Sequence, residues 1–170
     1  MKKHFALIAV LFSAVLFLLT SCGIYSFTGA SIDPNVKTIN ISYFDNKARL
    51  VQPTLSQVFT NALKDRFVAQ TSLNLTNDFA DLYLEGYISD YSISPMAIQA
   101  GETAALNRLT ITVNVKYTNN VNEKESFETT FSAYEDYARE KDLSEVEDGL
   151  IEQITEYLVD DIFNKAVVNW

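Results

Sequence analysis

The chain has 170 residues, a formal net charge of −9, a single Cys and a single His. This length suits one domain with a short appendage, and a hydrophobic fraction of 48% is enough to build a core. A lone Cys excludes an intramolecular disulfide, and with one His it cannot complete a zinc site. The acidic balance argues against nucleic acid as a partner, because nucleic-acid binding needs a basic face.

The N-terminal segment has the layout of an export signal. Lys2 and Lys3 precede an apolar run from Phe5 to Leu19, and this order is typical of a secretory signal peptide. The alternative is a membrane-spanning anchor, but the run is short of the roughly 20 residues that cross a bilayer core.

The Leu-Thr-Ser-Cys sequence that ends at Cys22 resembles the lipobox of bacterial lipoproteins. The resemblance implies cleavage before Cys22 and acylation of that residue, which also accounts for an unpaired Cys in an exported chain. Gly23 follows without a nearby acidic residue, and by resemblance to lipoprotein sorting signals this predicts the periplasmic leaflet of the outer membrane. The predicted parts are a cleaved signal peptide at 1–21, a lipidated tether at 22–35 and a single domain at 36–170.

Cleavage would make the protein more acidic. It removes Lys2, Lys3 and His4, which leaves 11 basic and 22 acidic residues, a net charge of −11 and no His. Acylation would occupy the thiol of Cys22. Several acyl chains would hold the domain at a membrane, because each buried methylene contributes about 0.8 kcal/mol.

The apolar pattern predicts four strands and two helices in the order β-α-β-β-β-α. Apolar and polar residues alternate in four segments, which is typical of half-buried strands: Val36–Phe44, residues 80–93, residues 108–117 and Phe127–Ala133. Apolar residues at helical spacing follow Pro53, and a second helix is predicted from Ser144, paired with Glu147 in a capping box, to Trp170.

This order predicts an α+β domain with a four-stranded mixed sheet. The strand before the first helix should pair in parallel, and the last three strands should form a meander. Two helices with one apolar stripe each can cover only one face, so the opposite face should be open and polar.

Tyrosines mark the predicted open face. Tyr83, Tyr87 and Tyr91 are predicted on the same side of the second strand, and Tyr134 falls on the polar side of the fourth. Tyr offers contact area together with a hydrogen-bonding tip, which favours a partner interface. Ordinary β-propensity is the alternative explanation.

Basic residues lie near the same face. Arg108 and Lys116 share one side of the third strand, and Lys124 lies in the hairpin that follows. These three residues are candidates for contact with an anionic ligand, and simple solvation is the alternative.

Catalysis, metal binding and cofactor binding are not expected. The mature chain would have no His and no free thiol, the commonest general base and a common nucleophile. The acidic pairs Asp160-Asp161 and Asp78 with Asp81 are better explained as solvated surface. The sequence has no phosphate-binding loop and no metal-ligand spacing.

Nearly the whole chain resembles the lipopolysaccharide-assembly lipoprotein family LptE, in its Bacteroidetes form. The resemblance is carried by the lipobox, by VKTINISYFDN, by ADLYLEGYISDY and by the terminal DDIFNKAVVNW. It implies two helices on a four-stranded sheet, acting as a plug and assembly partner inside the outer-membrane barrel LptD. It also implies lipopolysaccharide as a ligand, although a net charge of −11 opposes long-range attraction of this polyanion.

Two other functions remain open at this point. A periplasmic lipid carrier, or another outer-membrane-assembly lipoprotein, is the runner-up, and a carrier would need a deep apolar cavity. An enzyme that uses Asp160 or Asp161 is the third.

Overall fold

The computed structural model describes residues 32–96 and 105–167, which form one sheet with both α-helices on the same face. The predicted signal peptide, Cys22, most of the tether and Trp170 lie outside the described residues. The strands are β1 (Thr38–Ile41), β2 (Asp45–Asn46), β3 (Asn74–Leu75), β4 (Leu82–Pro95), β5 (Leu106–Asn119) and β6 (Phe127–Ala138). The helices are α1 (Leu55–Gln70) and α2 (Leu143–Val167), with a 3-10 turn at Glu123–Glu125.

The predicted α+β class and its connections are confirmed. The strand order is β3-β1-β4-β5-β6, with β2 pairing β4 beyond the end of β1. β1 pairs β4 in parallel after the crossover through α1, and β4, β5 and β6 form an antiparallel meander. The prediction of four strands was too low, because β2 and β3 have two residues each and are too short to show alternation.

The core lies between the two helices and one face of the sheet. The sheet contributes alternate residues of each long strand, such as Leu84 of β4 and Val113 of β5, and both are fully buried. Two edge-to-face aromatic pairs lie in the core: Phe44, between β1 and β2, packs on Phe59 of α1 at 5.2 Å between centroids, and Phe67 of α1 packs on Phe163 of α2 at 5.1 Å. The opposite face carries no helix within the described residues, so the predicted open face exists.

A β-bulge in β4 corrects one prediction. Ile88 pairs Val113, but Asp90 pairs Thr112, so one extra residue lies in β4 between them. A single extra residue exchanges the two faces for the rest of the strand. Tyr91 therefore points under α2 with only 4% of its surface exposed. Its assignment to the open face and to a partner interface was wrong.

The start of α2 also differs from the prediction. The helix begins at Leu143, so Ser144 lies inside the first turn instead of capping it. The Glu147 carboxylate, predicted to close a capping box, accepts a hydrogen bond from the Tyr91 hydroxyl. Burial, followed by this bond to Glu147, raises the pKa of Tyr91 far above its usual range. Glu147 thus joins α2 to the sheet.

Asp81, the residue before β4, forms hydrogen bonds with the chain at the start of β1. Its Oδ2 accepts hydrogen bonds from the Lys37 N–H at 2.8 Å, the Thr38 N–H at 3.0 Å and the Thr38 hydroxyl at 2.9 Å. The Lys37 N–H contributes most to holding the pKa of Asp81 below its usual value. This carboxyl has a structural task.

We expect the free energy of unfolding of Asp81→Asn to depend less on acidic pH than that of the wild type. A carboxyl with a depressed folded-state pKa stabilises the fold above the unfolded pKa of about 3.9 and loses that contribution as pH falls through the folded value. The wild type should therefore exceed Asp81→Asn in free energy of unfolding at pH 7, and the gap should close below about pH 4. Urea denaturation at several pH values measures this, with Asp78→Asn in the same loop as the control. A gap independent of pH would contradict it.

Candidate partner-binding face

The open face is the side of the sheet opposite the helices. Cross-strand register defines its central members: Tyr83, Glu85, Tyr87, Asp90 and Ser92 of β4; Arg108, Thr110, Thr112, Asn114 and Lys116 of β5; and Glu128, Thr130, Ser132, Tyr134 and Asp136 of β6. These side chains are polar or aromatic because the strands alternate, and their neighbours in sequence fill the core.

Three of the four predicted tyrosines lie on the open face. Tyr87 and Tyr134 are exposed, and a cation lies over each ring: the Lys47 ammonium is 4.6 Å from the Tyr87 centroid, and the Arg108 guanidinium is 3.5 Å from that of Tyr134. The Tyr83 hydroxyl accepts a hydrogen bond from the Ala80 N–H at 3.0 Å, so this ring also supports the fold. Their role in binding a partner stays a prediction.

Phe79, which the sequence analysis did not predict as part of this surface, extends the aromatic surface next to Tyr83. The Phe79 ring is 81% exposed and meets the Tyr83 ring edge-on at 6.4 Å between centroids. Phe79 lies in the loop before β4, where no periodicity distinguishes an exposed aromatic residue from a buried one. An aromatic residue beside a run of Asn and Asp was the only available signal.

Arg108 is bound to Asp136 on the neighbouring strand. Its Nε donates to Oδ1 at 2.8 Å and its Nη2 donates to Oδ2 at 2.9 Å, a bidentate pair. The hydrogen bond from Arg108 lowers the pKa of Asp136, and the same bond raises the pKa of Arg108. The Arg108 charge is therefore matched within the domain.

The structure does not bring the three predicted basic residues together. Lys116 is eight positions beyond Arg108 on β5, about 27 Å along the strand. It lies in register with Glu85 on one side and Glu128 on the other. Lys124 sits in the 3-10 turn beyond the end of β5. Contact between lipopolysaccharide and any of them stays a prediction.

Neutral hydrogen-bonding side chains of β5 and β6 lie at the centre of the open face, and Asp90 of β4 lies in register with Thr112. The Thr112 and Ser132 hydroxyls lie 3.0 Å apart across β5 and β6, and the Thr130 hydroxyl donates to the Asn114 amide oxygen. Such a surface can exchange hydrogen bonds with another polar surface at little desolvation cost. It is less suited to an apolar ligand, whose burial would leave these groups unpaired.

A groove of 580 Å³ runs between α1 and α2 on the other side of the domain. Its floor contains Ala62 and Val159, and its rim carries Asp65, Glu152 and Glu156. The Arg66 guanidinium, also at the groove, pairs with Asp160 of α2. Asp160 therefore has an ionic partner on the neighbouring helix.

Between residues 32 and 167, apart from 97–104, no group of three or more His, Cys, Asp or Glu side chains is placed to hold a metal ion. In the same segments, neither helix is long and apolar enough to span a bilayer.

The fold and its open face define a class of small α+β domain in which two helices cover a single side of a mixed sheet. The chain belongs to the LptE family, described as lipopolysaccharide-assembly, whose model matches residues 36–166. This confirms the family resemblance of the sequence. No curated protein matches the chain.

Solved structures share this fold at low sequence identity. A minor lipoprotein from Acinetobacter baumannii is 16% identical, with a TM-score of 0.52, and the match covers 76% of this chain and 91% of that one. A hypothetical protein from Chlamydia trachomatis is 8% identical, with a TM-score of 0.52 and coverage of 79% and 99%. At such identities the likeness establishes the fold alone.

Proposed function

We propose that this LptE-family chain is an outer-membrane lipoprotein, lipidated at Cys22, that acts as plug and assembly partner of an LptD-type β-barrel in lipopolysaccharide transport. The observation that carries the proposal is the open face. A barrel lumen is lined by polar residues, and the open face offers neutral hydrogen-bonding groups flanked by exposed tyrosines. In this proposal the helices serve the fold, and the uncovered sheet face contacts the barrel.

We also propose that the protein acts by binding and not by catalysis. Asp81 is bonded to backbone N–H groups and Asp160 is paired with Arg66, which gives these two of the four candidate carboxylates a structural task. Lipopolysaccharide would meet the assembled complex. Because Arg108 is matched by Asp136, Lys116 and Lys124 are the remaining predicted basic residues for direct contact.

The lipid-carrier alternative depends on the groove between α1 and α2. Its volume lies within the range of small-molecule sites, roughly 300–1,000 Å³. The acidic rim opposes a phosphorylated lipid, however, because like charges repel at close range. Extraction of bound lipid from the purified protein would favour the carrier.

We expect the double substitution of Tyr87 and Tyr134 to Ser to reduce recovery of the barrel at least about tenfold when the tagged lipoprotein is purified in mild detergent. Each substitution would remove an exposed ring surface that the proposed interface with the barrel uses and that the core of the fold does not need. Tyr157→Ser is the matched control, because Tyr157 is 49% exposed on α2 and Tyr134 is 51% exposed on the open face. Recovery of the wild type without any large barrel protein would defeat the proposal.

A further inference from the structure

One edge of the sheet is a long strand that pairs on only one side within the described residues. β6 has 12 residues, about twice the usual strand length of 5–6 residues. Its register with β5 runs unbroken from Phe127, opposite Tyr117, to Ala138, opposite Leu106. The opposite edge begins with the two-residue β3. β6 is thus the extended edge of this domain.

The backbone groups that β6 leaves free can be identified. The Arg139 N–H donates to the Ala105 carbonyl at 3.0 Å, which makes these two residues a hydrogen-bonded pair just beyond the strand. Such pairs alternate along an antiparallel ladder, so the odd-numbered residues of β6 bond to β5. The even-numbered residues from Glu128 to Asp136 direct N–H and C=O away from the sheet. Their side chains lie on the open face, so edge and face form one continuous surface.

We propose that an extended segment of the outer-membrane partner pairs with β6 as an additional strand of the sheet. This inference rests on the proposed function and specifies how the partner is held. Natural edge strands are usually protected by charged side chains (Lys above all), Pro, a bulge, an inward-pointing charge or short length. Of these features β6 has only acidic side chains, Glu128, Glu135 and Asp136: it contains no Pro or Lys, its register is unbroken, and it is long. Edge pairing by an extended segment is an established mode of recognition.

Charge favours a different chain over a second copy of this one. The charged side chains of β6 are Glu128, Glu135 and Asp136, with no Lys or Arg among residues 127–138. Pairing two copies of β6 would join two strands that carry only carboxylates and no cation, and like charges directly opposite each other are destabilising. Asp136 is already matched by Arg108. The segment that fits best is therefore extended, polar and supplied with a basic residue near Glu128.

Residue-resolved amide hydrogen exchange tests this pairing, comparing the free lipoprotein with the complex isolated from outer membranes. The N–H groups of Thr130, Ser132 and Tyr134 should become at least about tenfold more protected in the complex. Those of Thr129 and Phe131 bond to β5 in both states and are the internal control. A stable complex with unchanged exchange at the even positions would overturn the edge pairing and leave the proposed function intact.

Two other outcomes also count against the inference. Protection that rises with the concentration of the isolated lipoprotein would assign the edge to a second copy. Failure of any barrel to co-purify would remove the proposed function and the edge pairing together.

A pair of variants at one position tests the same hydrogen bonds. Ser132→Pro and Ser132→Ala both remove the hydroxyl that meets Thr112, but only Pro removes the outward N–H. Recovery of the barrel should be at least about tenfold lower for the Pro variant than for the Ala variant. Equal recovery by the two variants would overturn the proposal. Should the Pro variant fail to fold, as judged by circular dichroism, Thr130→Pro with Thr130→Ala repeats the comparison.

Discussion

Gly86→Ala is expected to lower the free energy of unfolding by about 3 kcal/mol, the upper end of the usual cost of overpacking a core. A Cβ at this position would lie 2.1 Å from the carbonyl oxygen of Asn114 and 2.5 Å from Cε1 of Phe44. Neither atom can move away easily. The first belongs to the backbone of a central strand, and the Phe44 ring is fully buried against Phe59. Urea denaturation followed by circular dichroism measures the loss.

The same substitution at Gly149 is the control, and its effect on the free energy of unfolding should have the opposite sign. Gly149 lies inside α2, is exposed, and has nothing within 4 Å of an added Cβ. Ala in a helix interior is favoured over Gly by about 0.5–1 kcal/mol, so Gly149→Ala should stabilise the protein. If Gly86→Ala were as well tolerated as Gly149→Ala, the close approach of β4, β5 and Phe44 would be contradicted.

The long elements could be predicted from the sequence because their side-chain periodicity extends over many residues. Leu109, Ile111 and Val113 alternate with polar residues in β5, and all three are fully buried. That pattern, repeated in β4 and β6, requires one covered face, and the two helical stripes supply the cover. The two-residue strands β2 and β3 could not be predicted, because their pairing depends on where tertiary contacts place the chain.

The β4 bulge could not be predicted from the sequence either, but for a different reason. Nothing in the sequence around Ser89 distinguishes a continuous strand from one with an extra residue, since Ser and Asp suit either face. Alternation counted from Tyr83 and Tyr87 therefore predicts Tyr91 on the open face. Alternation gives the correct face of the sheet as far as Ile88 and the opposite face for the residues after the bulge.

The open face could be predicted as a surface, but its internal pairing could not. Tyr83 and Tyr87 precede the bulge, so alternation placed them correctly. The pairing of Arg108 with Asp136 depends on the β5–β6 register, which the intervening hairpin sets. A one-residue change in register would place Asp136 on the core side of the sheet, away from Arg108. Side-chain spacing along one strand cannot reveal which residue of the next strand lies opposite.

Tyr91→Ala is expected to lower the free energy of unfolding by about 3–5 kcal/mol, the range for truncating a buried aromatic side chain. The ring fills space between β4 and α2, and its hydroxyl donates to Glu147. Its removal would leave a cavity and take away the hydrogen-bond donor of a carboxylate. Chemical denaturation measures this loss, and a fall in the melting temperature should accompany it.

Tyr87→Ala is the matched control, since Tyr87 is on the same strand but before the bulge and on the open face. It should change the free energy of unfolding by no more than about 1 kcal/mol, the scale of an exposed cation–π contact such as that with Lys47. Tyr91→Phe separates the two contributions, because it retains the ring and loses only the hydrogen bond, at about 1–3 kcal/mol. If the costs were reversed, with Tyr87 carrying stability and Tyr91 expendable, the inversion of faces at the bulge would be refuted. Tyr91 would then have to be returned to the open face, because the face of every residue of β4 beyond Ile88 depends on that one extra residue.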